Sequence, residues 1–555
     1  FLGLFQVLID KKKWGFVWLT IGLALQLHAN HLQMTYYTLV MAAIWTLLWG
    51  INTWRKEGVS HVFKPVGTLV VCGILALMMN AQHVLPTLEY TKFSTRGASE
   101  LSINPDGSPK IASNGLSFDY ITEYSYGIFE TLTFVSPNIM GGSSSESFSE
   151  ESPFMKFLQT SLGTGALDYD TATNLLQQFR PYWGDQPFVA APVYLGVALL
   201  FFSFLGLLIS DRNTRIVLFS IITLSLLFSW GKNMPVLTQF FIDYLPLYDK
   251  FRSVSSAQIM LLLCAPYTAM LGVKYLTQNH GIDRKKLLNV FIVFTIFIAL
   301  LFFLIGGAKG FFSFTSSVEA SYALPEVLLN PLRESRITLI WDDIYRVLLL
   351  VGLISVVVIA FWRKLITAHL FVLLVTLFVF ADLWQYNRAF FNENQFVSSY
   401  QFNTPFKATA LDKQILLDKT RYRVFEPSLG YSSSRTAYFH RTIGGYHGAK
   451  PAVLQDVYDF YLRQQDSVVM DMLNIKYIIS KTFPSGLHER TTALGPAWLV
   501  EELVHVANAN EELTRLSTLD PTKQALSRTL NATKYQSAAA DKIAIIESRN
   551  NLLRY

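Results

Sequence analysis

The sequence predicts a polytopic α-helical membrane protein that carries a mixed α/β domain outside the cytoplasm at its C-terminal end. Of its 555 residues, 51% are hydrophobic and only 15% are charged, whereas an ordinary soluble protein has about 25% charged residues. Apolar stretches long enough to span a bilayer, about 20 residues each, recur through the first two thirds of the chain. The net charge of +6 is small and spread in short clusters, so a nucleic-acid partner is not expected.

Nine apolar segments qualify as membrane helices once their flanking residues are added. They are residues 14–27, 36–53, 66–88, 188–210, 216–230, 256–273, 287–306, 347–362 and 366–381. Residues 1–9 are expected to be the end of a further helix whose beginning precedes the chain. The predicted transmembrane domain therefore covers 1–384, with about ten helices. The nine segments contain no Asp, Glu, Lys or Arg, which weakens the case for an ion-coupled transporter, because such proteins keep charges in the membrane for their relays.

Clusters of Lys and Arg set the predicted orientation. They occur in alternate connections, at Lys11–Lys13, at Arg55, Lys56 and Lys64, at Arg212 and Arg215, at Arg284–Lys286, and at Arg363 and Lys364. Because cytoplasmic loops carry an excess of basic residues, the remaining connections are expected to face the outside. These include the long loop 91–187, in which the Gly/Ser-rich residues 141–150 are expected to be mobile.

Residues 385–555 are predicted to form the extracytoplasmic α/β domain and to continue beyond the end of the chain. Segments rich in branched and aromatic residues predict strands at 422–426, 475–480 and 497–500. Helices are expected at 403–418, 451–463 and 509–529.

Polar and aromatic side chains gather at the predicted outer end of the first complete helix, namely His28, His31, Gln33 and Tyr36. An interfacial belt, where Tyr normally lies, is one explanation. Two His and a Gln exceed what a belt needs, so these residues are also candidates to line a substrate site.

Two residues of the long outside loop are candidates for chemistry. Glu130 lies in an otherwise apolar stretch, where partial burial would raise its pKa and suit it to act as a general base. Arg96 precedes Gly97, and its guanidinium could bind a phosphate. A surface ion pair or a solvated loop is the alternative for each.

Lys232 and Arg252 break the basic-inside pattern on the expected outer face, where the phosphate of a lipid-linked substrate would lie. Snorkelling side chains are the alternative. His447 lies in a segment dense in Gly, aromatic and basic residues, 438–450, which either contacts substrate or is a docking loop.

The metal prediction is none, because the His and Cys residues show no recognised ligand spacing. A divalent cation is the one cofactor that the sequence leaves open. Asp168 and Asp170 form a D-x-D pattern that could bind a cation, and a solvated turn is the alternative.

The sequence resembles the YfhO family of bacterial membrane proteins, which is grouped with the GT-C glycosyltransferases. The resemblance extends over most of the chain and rests on the order and spacing of several short motifs. They are His31-Leu-Gln33 with Tyr36-Tyr37, Arg96-Gly97 with Ser99-Glu100, Tyr124-Ser-Tyr126-Gly127 with Glu130, Tyr182-Trp-Gly-Asp185-Gln-Pro187, Ser229-Trp-Gly-Lys232-Asn, Tyr248-Asp249-Lys-Phe-Arg252, Asp382-Leu383 with Asn387-Arg388, and Gly444-Gly-Tyr-His-Gly-Ala-Lys450.

This resemblance implies a GT-C-like fold in the bacterial cytoplasmic membrane. It implies transfer of a sugar from a polyprenyl-phosphate donor to an envelope glycan or lipid acceptor on the extracytoplasmic face, with membrane lipids as further partners. In such enzymes a carboxylate in the first outside loop acts as the base, and that loop would precede Phe1. Two alternatives from other classes stay open, a lipid or polysaccharide translocase and a non-catalytic envelope scaffold.

The roles that follow from this resemblance are inferences for the residues named above. Glu130 would assist the main carboxylate. Arg96, Lys232 and Arg252 would stabilise the departing lipid phosphate. The sugar pocket would be lined by His31, Gln33 and Tyr36, with His28 and His447 as further substrate contacts.

Overall fold

The computed structural model describes residues 1–110, 115–187, 189–278, 284–307, 312–322, 324–535, 542–549 and 552–555. The chain is mostly helical and has a small strand-containing C-terminal region. Among these described residues, six helices are long and apolar enough to cross a membrane: Leu32–Glu57, Ser60–Met79, Arg212–Asn233, Val254–Gln278, Glu326–Trp362 and Ala368–Phe390. The length and composition of these helices confirm the prediction of a multi-pass membrane protein.

The chain divides into two compact units, and their boundaries differ from a single division at residue 385. The first unit contains Phe1–His83 and Phe118–Gln395, and the second contains Val84–Ser117 and Phe396–Tyr555. The segment 84–117 groups with the C-terminal residues because Leu101 is buried in the hydrophobic core of the second unit. The backbone N–H of Thr95 also donates to Lys450 O at 2.8 Å.

The first unit is built mainly of α-helices. In chain order they are Leu2–Leu8, Trp14–His28, Leu32–Glu57, Ser60–Met79, Phe118–Thr122, Pro153–Gly163, Tyr169–Gln178, Val197–Ile209, Arg212–Trp230, Pro235–Tyr244, Ile259–Gln278, Arg284–Gly307, Ser317–Ser321, Glu326–Trp362 and Ala368–Phe390. Short 3₁₀ helices lie at Phe129–Phe134, Pro137–Met140, Gly231–Asn233, Tyr248–Lys250, Val254–Gln258 and Glu393–Gln395. Helix Ala81–Thr91 spans the sequence boundary between the units.

The predicted apolar segment 66–88 is not one helix. Helix Ser60–Met79 ends at Asn80, and a new helix begins at Ala81. The buried side-chain amide of Asn80 donates to Ala24 O at 3.1 Å and to Ala76 O at 2.9 Å. A buried amide needs such partners, so the break is fixed by the hydrogen bonds that Asn80 makes.

Two other predictions for the first unit differ from the structure. The helix expected from residue 188 begins only at Val197, after Gly196 with φ +88°. The Gly/Ser-rich tract expected to be mobile is packed at its start, where Gly141–Ser143 are buried. Ser144 then exchanges hydrogen bonds with the backbone of Ala190 at 2.9–3.2 Å.

Two apolar helices of the first unit approach each other backbone to backbone. A Cβ on Gly206 would collide with the carbonyl of Thr268, and a Cβ on Gly272 would collide with the carbonyl of Phe202. Small residues at such crossings let membrane helices pack closely. Helices Val197–Ile209 and Ile259–Gln278 therefore form a tight pair, and the Ser203 hydroxyl donates across it to Ala265 O at 2.6 Å.

A buried arginine joins three segments of the first unit. Arg336 is fully buried and forms a two-point ion pair with Glu319, at 2.7 and 2.8 Å. Its remaining donors reach the carbonyls of Pro181 at 3.0 Å, Phe314 at 2.7 Å and Arg180 at 2.5 Å. A buried charge is tolerated only when paired and hydrogen-bonded, and these partners meet that condition.

The second unit contains small sheets. Strand β1 (Arg423–Phe425) pairs in parallel with β2 (Ile475–Ile479), which pairs antiparallel with β3 (Leu487–Glu489). Strand β4 (Glu502–His505) lies between β5 (Gln524–Ser527), in parallel, and β6 (Thr533–Lys534), antiparallel. A further antiparallel pair is formed by β7 (Glu547–Ser548) and β8 (Leu553–Arg554).

The α-helices of the second unit are short. They are Ser399–Asn403, Ala410–Ile415, Ser434–Phe439, Ala452–Phe460, Ser467–Met472 and Ala509–Arg515, with 3₁₀ turns at Pro427–Leu429 and Leu462–Gln464. The predicted strands at 422–426 and 475–480 are confirmed as β1 and β2, whereas 497–500 is not a strand. The predicted helix 509–529 is too long, because it ends at Arg515 and Pro521 precedes strand β5.

Replacing Arg336 by Met is expected to destabilise the protein by about 3–5 kcal/mol, because the carboxylate of Glu319 would stay buried without its partner. The free energy of unfolding in detergent micelles is the measurement. Arg333→Met is the matched control, since the Arg333–Glu326 pair is partly exposed and such pairs contribute less than about 1 kcal/mol. Equal losses for the two variants would contradict the role given to Arg336.

Candidate functional site

Residues 118–140 of the first unit, called here the site segment, receive contacts from several distant parts of the chain. Residues 182–186 contact its Glu130, and residues 229–233 contact its Ser125, Tyr126 and Thr131. The side chain of Arg252 contacts residues 120–124. The site segment is therefore where sequence-predicted residues of the first unit meet.

Glu130 is enclosed by hydrogen-bond donors. Its side chain is buried, with the residue 3% exposed. The Tyr182 hydroxyl donates to Oε1 at 2.6 Å, and the Gly127 N–H donates to Oε2 at 2.5 Å. The amide of Gln186 donates to both oxygens at longer distances, 3.3 and 3.2 Å. Gln186 is thus the donor that an incoming hydroxyl would most readily replace.

The backbone around Glu130 is shaped for this enclosure. The 3₁₀ helix Phe129–Phe134 begins two residues after Gly127, and the Gly127 N–H donates to the carboxylate of Glu130 in its first turn. A Cβ on Gly184 would lie 2.6 Å from Glu130 Oε1. Only a glycine at position 184 therefore lets residues 182–186 approach the carboxylate of Glu130 this closely.

Burial raises the pKa of Glu130 above the ordinary 4.5 of a glutamate. The hydrogen bonds from Gly127, Tyr182 and Gln186 favour the charged form and oppose this rise, and the nearby Asp185 adds to it. Burial also raises the pKa of Tyr182, with the negative charge of Glu130 as the second cause. A carboxyl with a raised pKa can exchange a proton closer to neutral pH.

Lys232 lies against the same stretch as Glu130. Its ammonium group is 3.4 Å from Asp185 O, and its backbone N–H donates to the Ser125 hydroxyl at 2.8 Å. The neighbouring Trp230 donates its indole N–H to Thr131 at 2.9 Å. Lys232 and Glu130 therefore both contact residues 182–186.

Arg252 is held by acidic and aromatic residues of the site segment. Its guanidinium pairs with Glu123 at 2.8 Å and donates to the Tyr120 hydroxyl at 3.1 Å. It also lies over the rings of Tyr120 and Tyr124, at 4.7 and 5.1 Å, in a cation–π arrangement.

Gln33 and Tyr36 join this region from the helix Leu32–Glu57. The Gln33 amide donates to Arg252 O at 2.6 Å, and the Tyr36 ring lies 5.2 Å from the ring of Phe251. The structure therefore brings Gln33, Tyr36 and Arg252 together.

The two histidines of this part of the chain are placed differently. The ring of His28 lies 6.1 Å from the ring of His83, a residue to which the sequence analysis gave no role. His31 is exposed at the start of helix Leu32–Glu57, where its carbonyl accepts from the Thr35 N–H at 3.1 Å.

Arg96 and His447 belong to the second unit. The Arg96 guanidinium donates to Gly448 O at 3.2 and 3.0 Å, and the ring of His447 lies edge-on to Tyr90 at 6.4 Å. The Tyr90 hydroxyl donates to Ala449 O at 3.1 Å. In this geometry the guanidinium of Arg96 holds a backbone carbonyl of the loop that contains His447.

A group of charges in the first unit, called here the charge cluster, was given no role from the sequence, although Asp382 belongs to one motif of the resemblance. Arg346 forms ion pairs with Asp343 at 2.8 Å and with Asp382 at 2.5 Å, and the Tyr194 hydroxyl donates to Asp382 at 2.7 Å. Asp343 also accepts from the hydroxyl of Ser136 in the site segment at 2.7 Å. These charges lie just outside the predicted apolar segments but inside the helices Glu326–Trp362 and Ala368–Phe390.

A signal for the charge cluster exists in the sequence. The buried residues of helix Glu326–Trp362 recur at helical spacing and include Arg336, Ile340, Asp343 and Val347. Charges on the apolar face of a helix indicate buried ion pairs. The predicted apolar segment begins only at residue 347, so hydropathy alone does not include this face.

The D-x-D pattern has a structural role. Asp168 caps the helix Tyr169–Gln178 by accepting from the Thr171 N–H at 2.7 Å and from the Thr171 hydroxyl at 2.9 Å. Such capping is typical of Asp before a helix. Within the described ranges, no group of three or more His, Cys, Asp or Glu is arranged to hold a metal ion.

An apolar groove of about 730 Å³ lies among three helices of the first unit, Val197–Ile209, Ile259–Gln278 and Ala368–Phe390. Its lining is mostly aliphatic and aromatic, with Pro266 and Val379 among its members. Lys274 and Asn387 are polar residues of the lining. A groove of this size and chemistry suits an apolar chain.

No family model, curated protein or solved structure matches the chain. The function is therefore inferred from the geometry of the site segment and from the motif resemblance.

The raised pKa of Glu130 predicts a pH dependence of stability. The folded state binds the carboxyl proton of Glu130 more tightly than the unfolded state does. The contribution of Glu130 to the free energy of unfolding therefore declines as the pH rises above 4.5 and through the folded-state pKa. Glu130→Gln removes the titration, and the stability of this variant relative to the wild type is expected to improve as the pH rises. Thermal unfolding in detergent between about pH 4 and about pH 8 measures it.

Glu334→Gln is the control for this measurement, because Glu334 is exposed. Its stability relative to the wild type is expected to stay constant over the same range. A constant difference for Glu130→Gln as well would contradict the raised pKa.

Proposed function

We propose that the chain is a membrane glycosyltransferase that moves a sugar from a polyprenyl-phosphate donor to an envelope glycan or lipid acceptor on the extracytoplasmic face. The observation that carries this proposal is the meeting of a buried carboxyl and two cations on one segment. Glu130 and Lys232 contact the same stretch, residues 182–186, and Arg252 contacts the site segment that contains Glu130.

In the proposed reaction the carboxyl group and the two cations have different roles. The acceptor hydroxyl attacks the anomeric carbon, and the bond between this carbon and the phosphate oxygen breaks. The leaving phosphate keeps the electron pair, and the cations Lys232 and Arg252 stabilise its negative charge. The proton of the hydroxyl passes to a carboxylate. The motif resemblance gives the role of main base to a carboxylate in another outside loop, and Glu130 assists it after exchanging the weak bonds from Gln186 for a substrate hydroxyl.

The apolar groove supports a lipid-linked donor. Its volume of about 730 Å³ lies within the range of about 300–1,000 Å³ typical of ligand sites. The groove is formed by helices with the length and composition of membrane spans or apolar helices, so a polyprenyl chain would exchange one apolar environment for another.

The charge cluster favours a second candidate function, a lipid or polysaccharide translocase, because ionisable residues inside membrane helices often mark a pathway. The position of the charge cluster along the two helices argues against the translocase. At about 1.5 Å per residue, Arg346 lies about 24 Å from Trp362 and Asp382 lies about 21 Å from Ala368. The charges thus lie at one end of the apolar parts of both helices, residues 347–362 and 368–381, which suits a site at one membrane surface better than a path across it.

The test uses the protein in proteoliposomes with radiolabelled polyprenyl-phosphate sugars and an envelope extract. Lys232→Met and Arg252→Ala are each expected to lower the rate of sugar transfer about a hundredfold, because each removes a charge that stabilises the leaving phosphate. Glu130→Gln is expected to lower it by a similar factor of about a hundred. The exposed residues Glu334 and Arg212 provide the controls Glu334→Gln and Arg212→Ala, which should retain transfer.

One result would contradict the proposed site, and two others would decide against this function. Full transfer by all three site variants would show that the site segment is not the reaction centre. Movement of labelled lipid across the bilayer without transfer would favour the translocase. Absence of both, with the variants behaving as the wild type in cells, would favour the scaffold.

A further inference from the structure

The second unit contains a pocket whose lining is strongly basic. The pocket has a volume of about 640 Å³, and its lining includes Lys419, Arg421, Arg441, Lys476 and Arg490, with Glu489 as the acidic member. This volume is in the range of small-molecule sites. We call it the basic pocket.

The sheet β1-β2-β3 assembles the basic pocket from distant parts of the chain. Arg421 precedes β1, and Lys476 lies in the parallel strand β2. The antiparallel strand β3 brings Arg490 back to the same end of the sheet, where the backbone N–H of Arg490 donates to Lys476 O at 2.7 Å. The buried Asn474 amide donates to Arg421 O at 2.6 Å, so the backbone that carries these cations is fixed.

The positive charge of the basic pocket is only partly neutralised. Lys476 pairs with Asp418 at 2.7 Å, and Arg490 pairs with Asp471 at 2.5 Å. Lys419, Arg421 and Arg441, by contrast, form no ion pair within the part of the chain that the structure describes.

Two further observations concern the charges of the basic pocket. The pKa of the adjacent Arg423 is lowered by burial and by the positive charge of Arg421. The side chain of Arg441 is exposed and makes no hydrogen bond with other described residues. Its guanidinium is therefore available to a ligand, and an anion would relieve the repulsion among its neighbours.

The lining chemistry narrows the class of anion. Guanidinium groups bind phosphate oxygens through two parallel hydrogen bonds. Thr420, Thr491 and Ser548 add hydroxyl groups to the lining, and Asn474 adds an amide. These neutral groups suit the hydroxyls of a sugar or of glycerol, and the volume exceeds what a free phosphate ion would fill.

We propose that the basic pocket binds a phosphate group attached to a hydroxyl-bearing body, such as a sugar or glycerol, with Arg421 and Arg441 as its principal phosphate contacts. Such a group occurs both in soluble sugar phosphates and in the headgroup of phosphatidylglycerol. The basic pocket lies wholly within the second unit, and this proposal does not depend on the function proposed for the site segment.

The test is isothermal titration calorimetry on the full chain in detergent. The probes are glucose 1-phosphate, the short-chain lipid dihexanoyl phosphatidylglycerol, inorganic phosphate and glucose. Glucose 1-phosphate or the lipid is expected to bind more tightly than inorganic phosphate, and glucose is expected not to bind. Binding of glucose 1-phosphate would identify a soluble source of the phosphate, and binding of the lipid alone would identify a headgroup.

Arg441→Ala is expected to weaken the binding of the preferred probe about tenfold, because a charge-assisted hydrogen bond is lost. Arg441→Glu should abolish it. Arg463→Ala is the matched control, since Arg463 is an exposed arginine of the same unit outside the basic pocket, and it should bind as the wild type does. The melting temperature of each variant confirms that it is folded.

Two results would overturn the proposal. If no phosphate-bearing probe binds, or if Arg441→Ala, Arg441→Glu and the double variant Arg421→Ala/Arg441→Ala bind as the wild type does, the basic pocket is not the site. If inorganic phosphate binds as tightly as the other probes, the claim of a hydroxyl-bearing body is wrong.

Discussion

The guanidinium of Arg336 is the interaction on which the geometry of the first unit depends. It holds Glu319 and the carbonyls of Arg180, Pro181 and Phe314, so three chain segments share one buried charge. The stretch that it fixes leads directly into Tyr182, whose hydroxyl donates to Glu130. A buried cation must satisfy its donors, and in doing so Arg336 determines where the partner of Glu130 lies.

Six of the nine predicted segments correspond to described helices that are long and apolar enough to cross a membrane, because about 20 apolar residues in a row have few other stable environments. The sequence does not identify where those helices end. Glu326–Trp362 has 37 residues and is about 55 Å long at 1.5 Å per residue, so it extends well beyond a hydrocarbon layer of about 30 Å. Its polar first half resembles a loop when only hydropathy is considered. Hydropathy therefore predicts Asp343 and Arg346 outside the helix that contains them.

The candidate site was partly predictable for a related reason. A lone acid such as Glu130 in an apolar stretch stands out locally, and Lys232 and Arg252 stand out against the charge pattern of the loops. The donors to Glu130, Tyr182 and Gln186, lie more than fifty residues away in sequence, and no local pattern encodes a contact across that distance. Arg96 shows the opposite case, in which a local pattern stands out but does not define the partner. A guanidinium beside a glycine suits a backbone carbonyl as well as a phosphate, and in the structure it donates to Gly448 O.

The discontinuous second unit has a consequence for the order in which the protein is made. Residues 84–117 leave the ribosome early, yet Leu101 packs into a core built mainly by residues 425–513. Until those residues are synthesised, the side chain of Leu101 lacks its packing partners, while residues 118–395 are inserted into the membrane. Nascent chains with such delayed partners are prone to misassembly. A chaperone on the side of the membrane that receives this segment would therefore be of most use during that interval.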